Sequence, residues 1–151
     1  MQLRVAALQE GGTVPKAHTA DGADQSPALS WGDAPKGTQA FALVLDDPDA
    51  PVGLWTHWVL YNLPAACAGL PAGLPKSPTL PDGSRQGRNT WGRIGFNGPA
   101  PPPGKPHRYV FHLYALREAL ELPAGASRAE VDAALKGRIL AEATCTGLYG
   151  R

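Results

Sequence analysis

Three predominantly apolar runs dominate the pattern along the chain, the first of them continuous. Ala40-Phe41-Ala42-Leu43-Val44-Leu45 stops abruptly at Asp46-Asp47-Pro48-Asp49-Ala50-Pro51, Trp58 to Leu63 is closed by Pro64, and Arg108 to Leu116 is the richest in aromatic residues. Runs of this length bounded by Pro, Gly and Asp predict buried strands. The period then changes. Ser127-Arg128-Ala129-Glu130 reads as a capping box, and Val131, Leu135 and Ile139 follow at four-residue spacing, which predicts helix. Gly137 interrupts that segment, so two short helices are expected. Strands first and a helical tail last predict a mainly β chain, an antiparallel β-sandwich with short helices at one end.

Composition supports turns over helices. Among 151 residues there are 18 Gly and 16 Pro, both costly inside helices. Two Pro/Gly-rich segments, from Pro64 to Pro81 and from Asn97 to Pro106, are too short to be useful linkers and read as loops over one core, so residues 1–151 are expected to form a single domain. A net charge of +1 argues against a nucleic-acid partner, which calls for a basic face. No apolar stretch is long enough for a membrane span, and a cytoplasmic location is expected. Cys67 and Cys145 show no metal-binding spacing. Two idle thiols is the plain reading, and pairing between them stays open.

Polar residues gather where the apolar runs end. They are the Asp46–Pro51 cluster, Trp55-Thr56-His57-Trp58, and Gly98-Pro99 through Gly104 leading into His107-Arg108-Tyr109. Prolines on both sides of Asp49 hold the local backbone at low entropic cost, and the sequence leaves the isomer at Pro48 and Pro51 open. Taken singly, each cluster reads as a turn or a loop end. His112 and His18 read as structural, and Asp82-Gly83 and Asn97-Gly98 as turns.

In combination and in this order, Asp47-Pro48-Asp49-Ala50-Pro51, Trp55, His57, Gly98-Pro99 and Gly104-Lys105-Pro106-His107-Arg108-Tyr109 resemble the phosphatidylethanolamine-binding protein family, in its bacterial Raf-kinase-inhibitor-like branch. Ser26–Trp31, Asp82–Asn89, Tyr109–Leu116 and Ile139–Ala143 with Gly147 extend the likeness from about Gly12 to Arg151, the last stretch fitting the family's C-terminal helix and tail. The resemblance implies a Greek-key sandwich with a small cavity at one end that accepts phosphate-type anions, including phospholipid head groups. Asp47, Pro51, Trp55, His57, His107 and Tyr109 should line it, and Gly98 and Pro99 should shape its rim. Ala100 stands where many bacterial members carry Cys, which removes a thiol from that rim. A homodimer is a mild expectation from the same resemblance.

The residue types suit an anion without that likeness. Imidazoles donate hydrogen bonds and offset charge when protonated, and Gly-rich backbone offers further N–H donors. Asp47 beside an anion has three readings: it orients a histidine or loop backbone, pairs with a ligand ammonium, or shares a proton. The first is favoured, with Asp49 fixing its turn. The expected function is therefore non-enzymatic binding of a phosphate-type anion or phospholipid head group, with no cofactor, metal or catalytic residue. One alternative is a protein-interaction module that inhibits a kinase or protease. Another is a phosphoester-acting enzyme using Asp47 and His57 as acid and base, which lacks a Ser or Cys nucleophile in these motifs. A zinc site from His57, His107, Asp47 and Asp49 is disfavoured by the family's anion preference.

Overall fold

The computed structural model describes all 151 residues. Its long strands are β3 (Ala40–Asp47), β4 (Trp55–Pro64), β7 (His107–Leu116) and β8 (Ile139–Tyr149), joined in one sheet by the short β6 (Arg85–Gln86). All pairings are antiparallel, and the order is β6-β4-β3-β7-β8. β7 thus returns to lie beside β3, as in a Greek key. A smaller sheet of β1 (Gln2–Val5), β2 (Leu29–Gly32) and β5 (Gly69–Leu70) completes the sandwich.

The large sheet is covered on both faces, which explains why its central strands read as continuous apolar runs. Phe41, Leu43, Leu45, Trp58, Leu60 and Phe111 pack toward the small sheet. Ala42, Val44, Val59 and Tyr61 pack against Val131 and Leu135 of the single helix α1 (Arg128–Leu135). Ser127 caps that helix and Glu130 completes the capping box, as its sequence predicts.

The second expected helix is absent. Gly137 takes a left-handed φ of +77°, ending the helix, and Ile139 opens β8. The four-residue spacing of Val131, Leu135 and Ile139 runs past that break, whereas Ile139 pairs with Leu116 and, after an irregularity at Leu140, the residues from Ala141 on pair in register with β7. Ile139–Ala143 is therefore strand, not the C-terminal helix expected for it. The Asn97-Gly98 turn is also absent, since this segment is irregular and buried. A Cβ at Gly98 would lie 2.3 Å from the His18 carbonyl oxygen, so glycine here permits close packing. Asp82-Gly83 does form a turn, with Gly83 at φ +88°. No peptide bond is cis, and both cysteines are free thiols.

One irregularity positions the site. Leu45 pairs with Trp58 and Asp46 with Thr56, leaving His57 as the extra residue of a β-bulge. Bulges re-aim side chains. Here the bulge turns His57 away from the helix-covered face, where Thr56 bonds Asp46, toward Tyr109, whose ring centroid lies 5.4 Å away.

Candidate functional site

The C-terminal end of β3 and the N-terminal ends of β4 and β7 meet at one end of the sandwich because the three strands are antiparallel neighbours. A cavity of about 230 Å³ opens there. Asp47, Pro51, Trp55, His57, His107 and Tyr109 all line it. Gly98 and Pro99 do not. Gly98 donates its N–H to Asp24 Oδ1 (2.7 Å), and Pro99 accepts from the Ala20 N–H (2.9 Å), so both sit behind the wall. Ala100, Pro101 and Pro102 supply the rim in their place.

Asp47 is fully engaged. Its Oδ2 accepts from His107 Nδ1 (2.7 Å) and its Oδ1 from the Asp49 N–H (2.8 Å), so it orients both a histidine and the loop backbone. Asp49 does more than fix its turn. It accepts from Arg108 N–H, Nε and Nη2 at 2.8–2.9 Å, a fork that locks the loop to β7 and holds the Asp49 pKa down at about 2.

His57 is only 2% exposed, and its Nδ1 donates to the Asn97 carbonyl (2.7 Å). Since a carbonyl only accepts, Nδ1 bears the proton and Nε2 the lone pair. Burial lowers the His57 pKa, against the partly compensating pull of that carbonyl and of Asp47. Each imidazole is thus anchored through Nδ1 and leaves Nε2 without a protein partner.

Two further polar atoms are buried without any hydrogen bond, Trp55 Nε1 and the Tyr109 hydroxyl. Both belong to residues lining this cavity. Tyr109 is 1% exposed, and burial, the Asp47 charge and a weak approach of the hydroxyl to that carboxylate, outside ordinary hydrogen-bond geometry, raise its pKa far enough to keep it protonated as a donor. A buried donor left unpaired costs about 1–3 kcal/mol, and such atoms are rare enough to need a reason.

Trp91 escaped the sequence reading. Its ring stands edge-on to Trp55 and His57, at 5.3 and 5.0 Å, on a loop shaped by Asn89. The Asn89 Oδ1 accepts from the Trp91 and Arg93 N–H groups, and its Nδ2 donates to Asn97 Oδ1 (2.7 Å). No periodicity marks this loop; an Asn two residues before the Trp is its one signal. Ala50, Pro51 and Val52 give the lining an apolar stretch, with Val52 79% exposed. A groove of about 700 Å³ continues past His107 along Pro102, Lys105, Arg108 and Leu148. No cluster of three or more His, Cys, Asp or Glu side chains forms a metal site, and no helix is long and apolar enough to cross a membrane. His18 packs within its loop, donating Nδ1 to the Gln25 carbonyl (2.7 Å). His112 lies on the helix-covered face, between Glu142 and Asp46.

The family model described as phosphatidylethanolamine-binding protein matches residues 4–150. The chain belongs to that family. It is 46% identical to a UPF0098 protein of Methanothermobacter thermautotrophicus over 151 residues, covering 100% of this chain and 99% of the relative. It is 40% identical to the UPF0098 protein YbhB of Escherichia coli K12, with coverages of 94% and 95%. The crystal structure of E. coli YbcL, described as a new member of the mammalian family, superposes with a TM-score of 0.93 at 35% identity, covering 99% of this chain and 98% of that one. The family's sandwich and these strand ends therefore come together in this chain.

Proposed function

We infer that the cavity binds a phosphate-type anion, presented as a phospholipid or other phosphoester head group, without chemical turnover of that ligand. The observation that carries the reading is the pair of buried, unpaired donors, Trp55 Nε1 and Tyr109 Oη, in the same small cavity as two anchored imidazoles. Phosphate oxygens satisfy both donors at once. The volume is below the roughly 300–1,000 Å³ of drug-sized ligand sites, so it suits a head group and leaves any acyl chain outside. Val52, exposed in the cavity lining, then meets apolar parts of the ligand. Family membership supports the same ligand class.

Since both imidazoles present an Nε2 lone pair when neutral, an anion must arrive with a proton or draw one from solution. Titration with phosphorylethanolamine, followed by NMR of the histidine side chains, is expected to shift His57 and His107 and spare His18. The response should be stronger at about pH 6 than at pH 8, since a phosphate monoester, whose second ionisation lies at about 6, then brings the proton that an Nε2 lone pair accepts. His107→Ala is expected to weaken binding by about tenfold, one charge-assisted hydrogen bond. An absence of shifts at both pH values would refute the reading.

A further inference from the structure

We propose that His107 Nε2 is a phosphoryl acceptor, taking a phosphoryl group from a small acyl phosphate bound in the cavity and holding it as Nε2-phosphohistidine. The inference rests on the anion reading of the same cavity and adds a covalent step to it.

The four histidines differ in one decisive respect. Only His107 combines a place in the cavity with a carboxylate on one ring nitrogen and no partner on the other. A nitrogen nucleophile gains positive charge on its ring as it forms a bond. Asp47 is placed to offset that charge, and the Asp49 N–H on its other oxygen keeps it from turning away. His57 faces a neutral carbonyl instead, which offers no such compensation. His112 has carboxylates near both nitrogens, Glu142 at 3.3 Å and Asp46 at 3.6 Å, and lies outside the cavity. His18 faces a carbonyl in its own loop.

The remaining polar groups fit the transferring phosphoryl. Trp55 N–H and Tyr109 O–H are neutral donors outside any hydrogen bond of ordinary geometry, on residues that line the cavity, and are available to its oxygens. None of the cavity's groups is a free acid able to protonate a poor leaving group, because Tyr109 holds its proton tightly and burial disfavours the charged form of His57. The donor must therefore have a leaving group that departs as a stable anion, and a carboxylate does. Lys105, in the groove that continues from His107, offers a cation on its way out. The Nε2 lone pair forms the N–P bond while the P–O bond to the acyl oxygen breaks. Its electron pair leaves with the carboxylate. The product is an N-phosphorylated imidazolium, its Nδ1–H still held by Asp47, and no proton is exchanged.

The test incubates the full chain with acetyl phosphate, followed by intact-mass measurement, peptide mapping without acid and phosphorus NMR. One phosphoryl group per chain is expected, on His107 through Nε2, stable in base and lost in mild acid. Asp47→Asn should slow its formation by about tenfold or more by removing the tautomer lock, and His18→Gln should leave it unchanged. Modification at another histidine, or at Nδ1, would overturn the proposal. So would no adduct while phosphorylethanolamine still shifts His57 and His107, a result that leaves the anion pocket standing. No adduct together with no shifts would remove both.

Discussion

Four polar side chains line the cavity, and their chemistry turns on which of them carries a proton. Trp55 and Tyr109 hold buried donors outside any hydrogen bond of ordinary geometry, and the two histidines are held through Nδ1, which leaves Nε2 without a protein partner. Asp47, the residue that looks wrong beside an anion, has both oxygens occupied by protein donors, so it organises the site and leaves the ligand to others. Asp49 is the titratable group whose effect on folding is easiest to sign. Its pKa is lowered from 3.8 to about 2 by the Arg108 guanidinium. Its carboxylate therefore favours the fold above the unfolded-state value, and that contribution disappears as pH falls through about 2. Asp49→Asn is expected to flatten the acid limb of the stability profile between about pH 4 and 2, measured by urea midpoints.

At the scale of elements, α1 is fastened to the sheet by charge as well as by Val131 and Leu135. Asp46, 3% exposed, accepts from Arg128 and from Thr56 Oγ1. Arg128→Met is expected to destabilise the protein by about 3–5 kcal/mol, because it strands a buried carboxylate. Urea unfolding checks this, and a loss under about 1 kcal/mol would mean that Asp46 finds other partners. The pair was not legible in the sequence, where Asp46 and Asp47 look alike. Strand alternation sends one to each face, and only Asp47 reaches the cavity. The three central strands were legible because burial on both faces leaves unbroken apolar runs. The bulge at His57 was not, since nothing in Thr56-His57-Trp58 marks an extra residue; it appears only in the pairing with Leu45 and Asp46. Helical spacing misled at Ile139 because a period of four says nothing about the left-handed glycine inside it. Six of the eight expected site residues line the cavity because strand ends carry them, whereas Gly98 and Pro99 belong to the packing behind it.

For the whole molecule, the sandwich supports a site that opposes its own stability. A core of large apolar side chains lies between the sheets, and Tyr109 and Trp55 leave donors unpaired at its open end. Tyr109 ties the two together, since it belongs to the core and also lines the cavity. The most direct test is Tyr109→Phe, measured twice on the same preparation: urea unfolding without ligand, and phosphorylethanolamine affinity by calorimetry. Removing an unpaired buried hydroxyl is expected to stabilise the free protein by roughly 1 kcal/mol and to weaken binding by about tenfold. A destabilised variant whose affinity is unchanged would contradict the account, because the hydroxyl would then serve the fold and not an anion.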